Sequence, residues 1–273
     1  MKKIIYTTDY SEISVAALHY AVTLGKLLKM DVIALHVYPS AEEDHEKDKK
    51  EVRKEHQEKL LKFCKTHLKE EYEASELTVA AIKGNNVSQA IAGFIRDMQV
   101  HLVITGACGT KRLKEMFVSS TTKDMINSSP FPVLAVPADY ESHKIMNILF
   151  ATTLDERDLN QLEDLVAIMA PAKPKIDILH ITHKEGEAAE VALDEFRKKV
   201  EEKISYENFF FRYIHSKQIF ETLRAAIKET KPDLMLMPDR TEKSEMDKII
   251  IRDKTKNLQS CTQVPLLSFP ATT

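Results

Sequence analysis

The chain has 273 residues, 39 basic against 42 acidic side chains for a net charge of -3, and 43% hydrophobic against 30% charged residues, a globular composition that excludes wholesale disorder and fibrous repeats. It has no concentrated basic stripe for a nucleic-acid backbone, no run of about 18 apolar residues for a membrane span, and no signal-peptide core behind its opening MKKIIYTTDY. Three widely spaced cysteines, Cys64, Cys108 and Cys261, suit a reducing compartment, so the protein is expected to be soluble and cytoplasmic, with neither nucleic acid nor membrane as partner.

KIIYTT has strand character, Glu12 to Lys29 carries apolar residues at helical spacing, and DVIALHV returns to strand: a βαβ unit. A very polar segment from Ala41 to about Tyr72 gathers Val52, Leu60, Leu61, Cys64 and Leu68 on one face of a long surface helix. Its mixed charges from Glu42 to Lys59 are read as a solvated face. ELTVAAIK (strand), Val87–Met98 (helix), HLVITG (strand), Ser120–Asn127 (short helix) and FPVLAVP (strand) follow. Continuous apolar strands alternating with helices imply a parallel sheet covered on both faces.

After Pro137 the polar ADYESHK gives way to KIMNILFATTLDE, and the pattern restarts. We therefore expect a domain over 1–138, a linker over 139–144 and a second domain over 145–273. ILFATTLDE echoes IIYTTDYSE and ILHI echoes ALHV, both at a separation of 144 residues. PDLMLMPD and VPLLSFPA echo VHLVITGA and FPVLAVPA at 132 or 133. The missing dozen residues are expected from the charged helix, whose counterpart over Gly186–Ile204 is shorter; that loss would cost about 18 Å of helix and leave the sheet intact.

Ligands of open parallel sheets collect beyond the carboxyl ends of the strands. Those ends carry Thr7, Thr8 and Asp9, then His36 to Pro39, then GACGTKRLKEMFVSSTT. In the last, Gly106 and Gly109 bracket a turn where missing side chains let backbone N–H groups approach a phosphate, and Ser119, Ser120 and Thr121 open a helix whose amino end favours anions. Asp9 is equally suited to capping the helix that follows it. Lys111, Arg112 and Lys114 suit either phosphate neutralisation or a solvated loop. His36 and His180 are read as structural, and Cys64 with His67 offers too few ligands for zinc. Met98, Met116, Met125, Met169, Met235 and Met237 are read as core fillers.

Taken together, IIYTTDYSE, IALHVYP, the loop Gly106, Gly109, Ser119, Ser120 and the closing PVLAVP resemble the universal stress proteins, of the type with two such domains in tandem. Ser119 stands where the family has a glycine. The resemblance implies two open parallel five-stranded sheets with helices on both faces, Rossmann-like, of the adenine-nucleotide alpha hydrolase type, related by a pseudo-two-fold axis. It implies binding of ATP, or AMP or ADP, by the first domain. Thr8 and Asp9 would lie at the nucleotide, Asp9 facing the ribose or a phosphate-bound Mg²⁺. Val37 would offer backbone contacts to the adenine, and Gly106, Gly109, Ser119, Ser120 and Thr121 would hold the phosphates.

No catalytic base or nucleophile is implied, and the expected role is a nucleotide-dependent stress-response regulator acting on an unidentified protein partner. A slow nucleotide hydrolase or adenylyl-transferring enzyme, and a nucleotide-free scaffold, are the alternatives. The second domain has Thr153 in the place of Asp9, and DRTEKSEMDKIIIRDKTKN, with no glycine and with Asp239, Glu242, Glu245 and Asp247, in the place of the loop; it is expected to have lost nucleotide binding. The closing strands, 131–137 and 264–270, are expected to pair inside the chain as a pseudo-dimer.

Overall fold

Short runs of β-branched and aliphatic residues, too brief for helices and buried on both sides, form the strands of an α/β protein. A computed structural model of the chain describes residues 2–39, 49–73, 76–107, 120–142, 144–183, 186–237 and 264–270. The chain divides into two compact units, Met1–His143 and Lys144–Thr273.

The first unit contains β1 (Lys3–Thr7), α1 (Ile13–Leu28), β2 (Asp31–Tyr38), α2 (Lys49–Leu68), α3 (Glu70–Glu73), β3 (Thr78–Lys83), α4 (Val87–Ile95), β4 (Val100–Ala107), α5 (Ser120–Ser128) and β5 (Val133–Pro137). Its strands run in the order β3-β2-β1-β4-β5, every neighbouring pair parallel. Burial is nearly complete along β1 from Ile4 to Thr7 and along all of β5, whereas β3 exposes Thr78 and Lys83. One face of the sheet packs Ile5, Leu35, Val103 and Val133 against Ile91 and Ile95 of α4 and Met125 of α5. Across the pleat, Tyr38 and Ala81 meet Val52 of α2.

The second unit repeats the plan with β6 (Asn147–Thr152), α6 (Glu156–Met169), a 3₁₀ turn over Ala170–Ala172, β7 (Lys175–Thr182), α7 (Glu187–Lys203), β8 (Phe209–His215), α8 (Ile219–Thr230), β9 (Leu234–Leu236) and β10 (Leu266–Ser268). Its parallel order is β10-β9-β6-β7-β8. Leu149, Leu179, Leu223, Ala226, Met235 and Leu266 form its core. Residues 238–263, with Asp239, Glu242, Glu245 and Asp247, lie outside the described residues.

The 144-residue repeat reaches the helix ends. Lys29 and Lys173, one repeat apart, both cap a helical segment in left-handed backbone, at φ 54° and 51°. The repeat breaks between the second and third strands of each unit. Ile33 pairs with Thr78 in the first unit and Asp177 with Phe210 in the second, so the offset falls from 144 to 132 across that crossover alone. As described, α2 has 20 residues and α7 has 17; the expected start of the long helix at 41–48 lies outside the described residues.

Candidate functional site

In the order β3-β2-β1-β4-β5 the chain moves outward in one direction from β1 to β3 and in the other from β4 to β5, so strand order reverses between β1 and β4. The crossover helices leaving these two strands depart on opposite faces and hold open a crevice at the carboxyl ends. A cleft of about 160 Å³ lies there among the described residues. Leu35, Val37, Val87 and Ile91 form its apolar side, and Thr7, Thr8, Asp9, Ser11, Ser14, Thr105, Thr121 and Thr122 bring oxygens to it. Thr7 and Thr105 are direct partners in the β1–β4 register, which brings both strand ends to the same depth.

The turn from β1 into α1 is fixed by a chain of hydroxyl bonds. Ser14 Oγ donates to the Ser11 carbonyl at 2.7 Å, so across its 2.7 Å contact with Thr8 Oγ1 it is the acceptor. Thr8 Oγ1 in turn accepts from Tyr10 N–H at 2.9 Å, which holds Tyr10 in left-handed backbone at φ 67°. Asp9 Oδ1 accepts from Ser11 N–H at 3.0 Å, an aspartate turn leading into the helix; the N-cap position itself is Glu12, which makes no side-chain cap. Below the turn Tyr6 donates to the Ser14 carbonyl at 2.9 Å, and burial pushes its phenol far above the usual range.

Gly106 lines the cleft, but as part of β4, paired with Val136, rather than within a loop. A Cβ on it would stand 2.6 Å from the Ile13 carbonyl oxygen and 2.9 Å from Ser14 Cα. Its missing side chain is therefore filled by the backbone of α1, which the phosphate-approach argument did not anticipate. Thr122 Oγ1 donates to the Gly106 carbonyl at 3.1 Å and ties α5 to the same strand end. Behind the cleft Gly84 donates its N–H to the Tyr38 carbonyl at 2.9 Å, and a Cβ on it would strike Ala90 at 2.5 Å, so it brings α4 close to Val37.

On the opposite face of β2, His36 donates Nδ1–H to the Thr8 carbonyl at 2.9 Å, and burial lowers its pKa. Its ring lies 4.2 Å from that of Tyr10 and 5.6 Å from that of His56, which stacks on Tyr38 at 4.0 Å. These rings fix α2 against β2, and His180 makes the same bond to the Thr152 carbonyl at 3.0 Å. Both histidines thus have structural partners. Cys64 is buried, and desolvation pushes its thiol up to about 12. Among the described residues no three His, Cys, Asp or Glu side chains gather as a metal site.

Of the residues singled out from the sequence, Thr8, Asp9, Val37, Gly106 and Thr121 meet at this one cleft. Ser120 is the first residue of α5. Gly109 and Ser119 lie outside the described residues, as do Lys111, Arg112, Lys114 and Met116. Ser11, Ser14, Thr105, Thr122, Leu35, Val87 and Ile91 line the cleft and were not foreseen. The six-residue spacing from Thr8 to Ser14, repeated as Thr152 to Asp158, was the signal available for one of them.

A family model described as the Universal stress protein family matches residues 1–137, half of the chain, and the chain belongs to that family. It is 27% identical over 156 residues to the universal stress protein MJ0577 of Methanocaldococcus jannaschii, covering 50% of this chain and 94% of that protein. The crystal structure of a universal stress protein from Archaeoglobus fulgidus matches 98% of both chains with a TM-score of 0.71 at 15% identity. A Pseudomonas aeruginosa structure described as a putative universal stress protein matches 98% of this chain and 92% of its own, with a TM-score of 0.62 at 11% identity. At those identities the structures carry the fold over both units and nothing further. Among the described residues no helix is long and apolar enough to cross a membrane.

Proposed function

We infer that the first unit binds one adenine nucleotide, ATP or its mono- or diphosphate, in the cleft between the ends of β1 and β4. The observation that carries this reading is the pairing of an apolar wall, Leu35, Val37, Val87 and Ile91, with a hydroxyl-lined floor at the reversal of strand order. An apolar slot suits a purine, and threonine and serine hydroxyls suit ribose and phosphate. The described cleft has a volume of about 160 Å³, below the ~300–1,000 Å³ usual for small-molecule sites. Asp9 supplies one exposed carboxylate, so Mg²⁺ would arrive with the phosphates rather than occupy a site of its own.

On this reading the protein is a cytoplasmic stress-response regulator that presents a nucleotide-dependent surface to a protein partner. The second unit is a degenerate universal-stress domain. Amide hydrogen exchange on the whole chain tests where ligand binds. Saturating ATP is expected to slow exchange over residues 7–14 and 103–107 and to leave 150–158 unchanged; protection confined to the second unit, or none, refutes the reading.

A further inference from the structure

The turns after β1 and β6 follow one plan, 144 residues apart. Tyr10 and Leu154 both take φ of 67°. Tyr10 N–H reaches Thr8 Oγ1 at 2.9 Å, and Leu154 N–H reaches Thr152 Oγ1 at 2.8 Å. The carbonyls of Thr8 and Thr152 each accept from a histidine on the next strand. Ser14 and Asp158 hold the same backbone bond, their N–H groups at 3.0 Å from the carbonyls of Ser11 and Asp155.

Within this shared frame the side chain at one position changes charge. Ser14 accepts from Thr8 Oγ1, turns its own proton to Ser11, and lines the cleft. Asp158 is 1% exposed, and its Oδ2 accepts both Thr152 Oγ1–H at 2.7 Å and Thr153 N–H at 2.9 Å. The counterpart of Thr153 N–H is the amide of Asp9, which has no partner among the described residues. The carboxylates nearest the strand ends thus stand at different positions of the two turns. In the first unit Asp9 is exposed at the rim of the cleft; in the second Asp158 is buried behind the turn and occupies the amide of Thr153.

Resting on the nucleotide reading above, we propose that the residue at the position of Ser14 and Asp158 decides whether a unit admits a phosphate-bearing ligand. Ser14 leaves the first floor neutral and the Asp9 amide open to an acceptor on the ligand. Asp158 bars an anion from the second turn twice: it repels anions where little water screens the charge, and it takes the amide they would need.

Ser14→Asp in the full-length chain tests this, because the second unit already accommodates Asp in the same turn, and the variant is expected to fold with an unfolding midpoint close to that of the parent. In buffer without divalent cations, ATP affinity should fall about a hundredfold, AMP affinity less, and adenosine affinity by no more than about threefold, since the repulsion grows with ligand charge. Unchanged ATP binding overturns the proposal. So does an equal loss for adenosine and ATP, which would mark a steric effect, and so does a variant that fails to fold, which would break the shared frame. A parent chain that binds none of the three ligands refutes the nucleotide reading itself and is distinguishable from all of these.

Discussion

Gly106→Ala is expected to destabilise the first unit by about 2–3 kcal/mol, at the upper end of what overpacking a close contact costs. The added methyl would meet the backbone of Ile13 and Ser14 at 2.6 to 3.0 Å, and main chain cannot swing aside as a side-chain tip can. Relief requires the start of α1 to move away from β4. That movement pulls on the Thr8–Ser14–Ser11 hydroxyl chain and on the bond from Tyr6 to the Ser14 carbonyl. Urea unfolding followed by a probe in residues 1–143 should show the midpoint lowered, with nucleotide affinity lowered as well. An unchanged midpoint would mean that the α1–β4 approach is looser than the described geometry.

Asp158→Ala should cost the second unit a similar amount, about 2–3 kcal/mol. It leaves the Thr152 hydroxyl and the Thr153 amide, both facing a buried carboxylate, without their acceptor. Asp158→Ser should cost distinctly less, because a serine at the matching place in the first unit bonds the threonine hydroxyl and returns its own proton to the carbonyl three residues back. Chemical denaturation of the three full-length proteins gives the ranking directly. Equal losses for Ala and Ser would show that the two turns are not interchangeable in their hydrogen bonding.

The sheet was legible because its signal is local. IIY, VIAL, LVI and VLAV are unbroken apolar runs, and period and length alone separate them from the helices between. The repeat was legible for a related reason: a turn that needs left-handed backbone at Tyr10 and Leu154 keeps its flanking threonines at fixed spacing. The floor of the cleft was harder to read. Ser14 sits on a helix and resembles any polar helix residue until the fold brings it against Thr8, and Thr105 becomes a cleft residue only through its register with Thr7. Gly106 was singled out for a backbone approach, and an approach is what it permits, yet the partner is α1, a contact that no spacing in the sequence encodes. The twelve-residue deficit, expected from the charged helix, falls in the crossover after the second strand, which contains that helix. Its division between helix and connections depends on segments such as 40–48 that lie outside the described residues.

One hydroxyl-floored cleft in a chain of two similar units should bind one ligand, and the stoichiometry of binding tests this most directly. Calorimetric titration of ATP with Mg²⁺ into the full-length protein, first freed of any co-purifying nucleotide, should give one site per chain. Two equivalent sites per chain, or none, would contradict it.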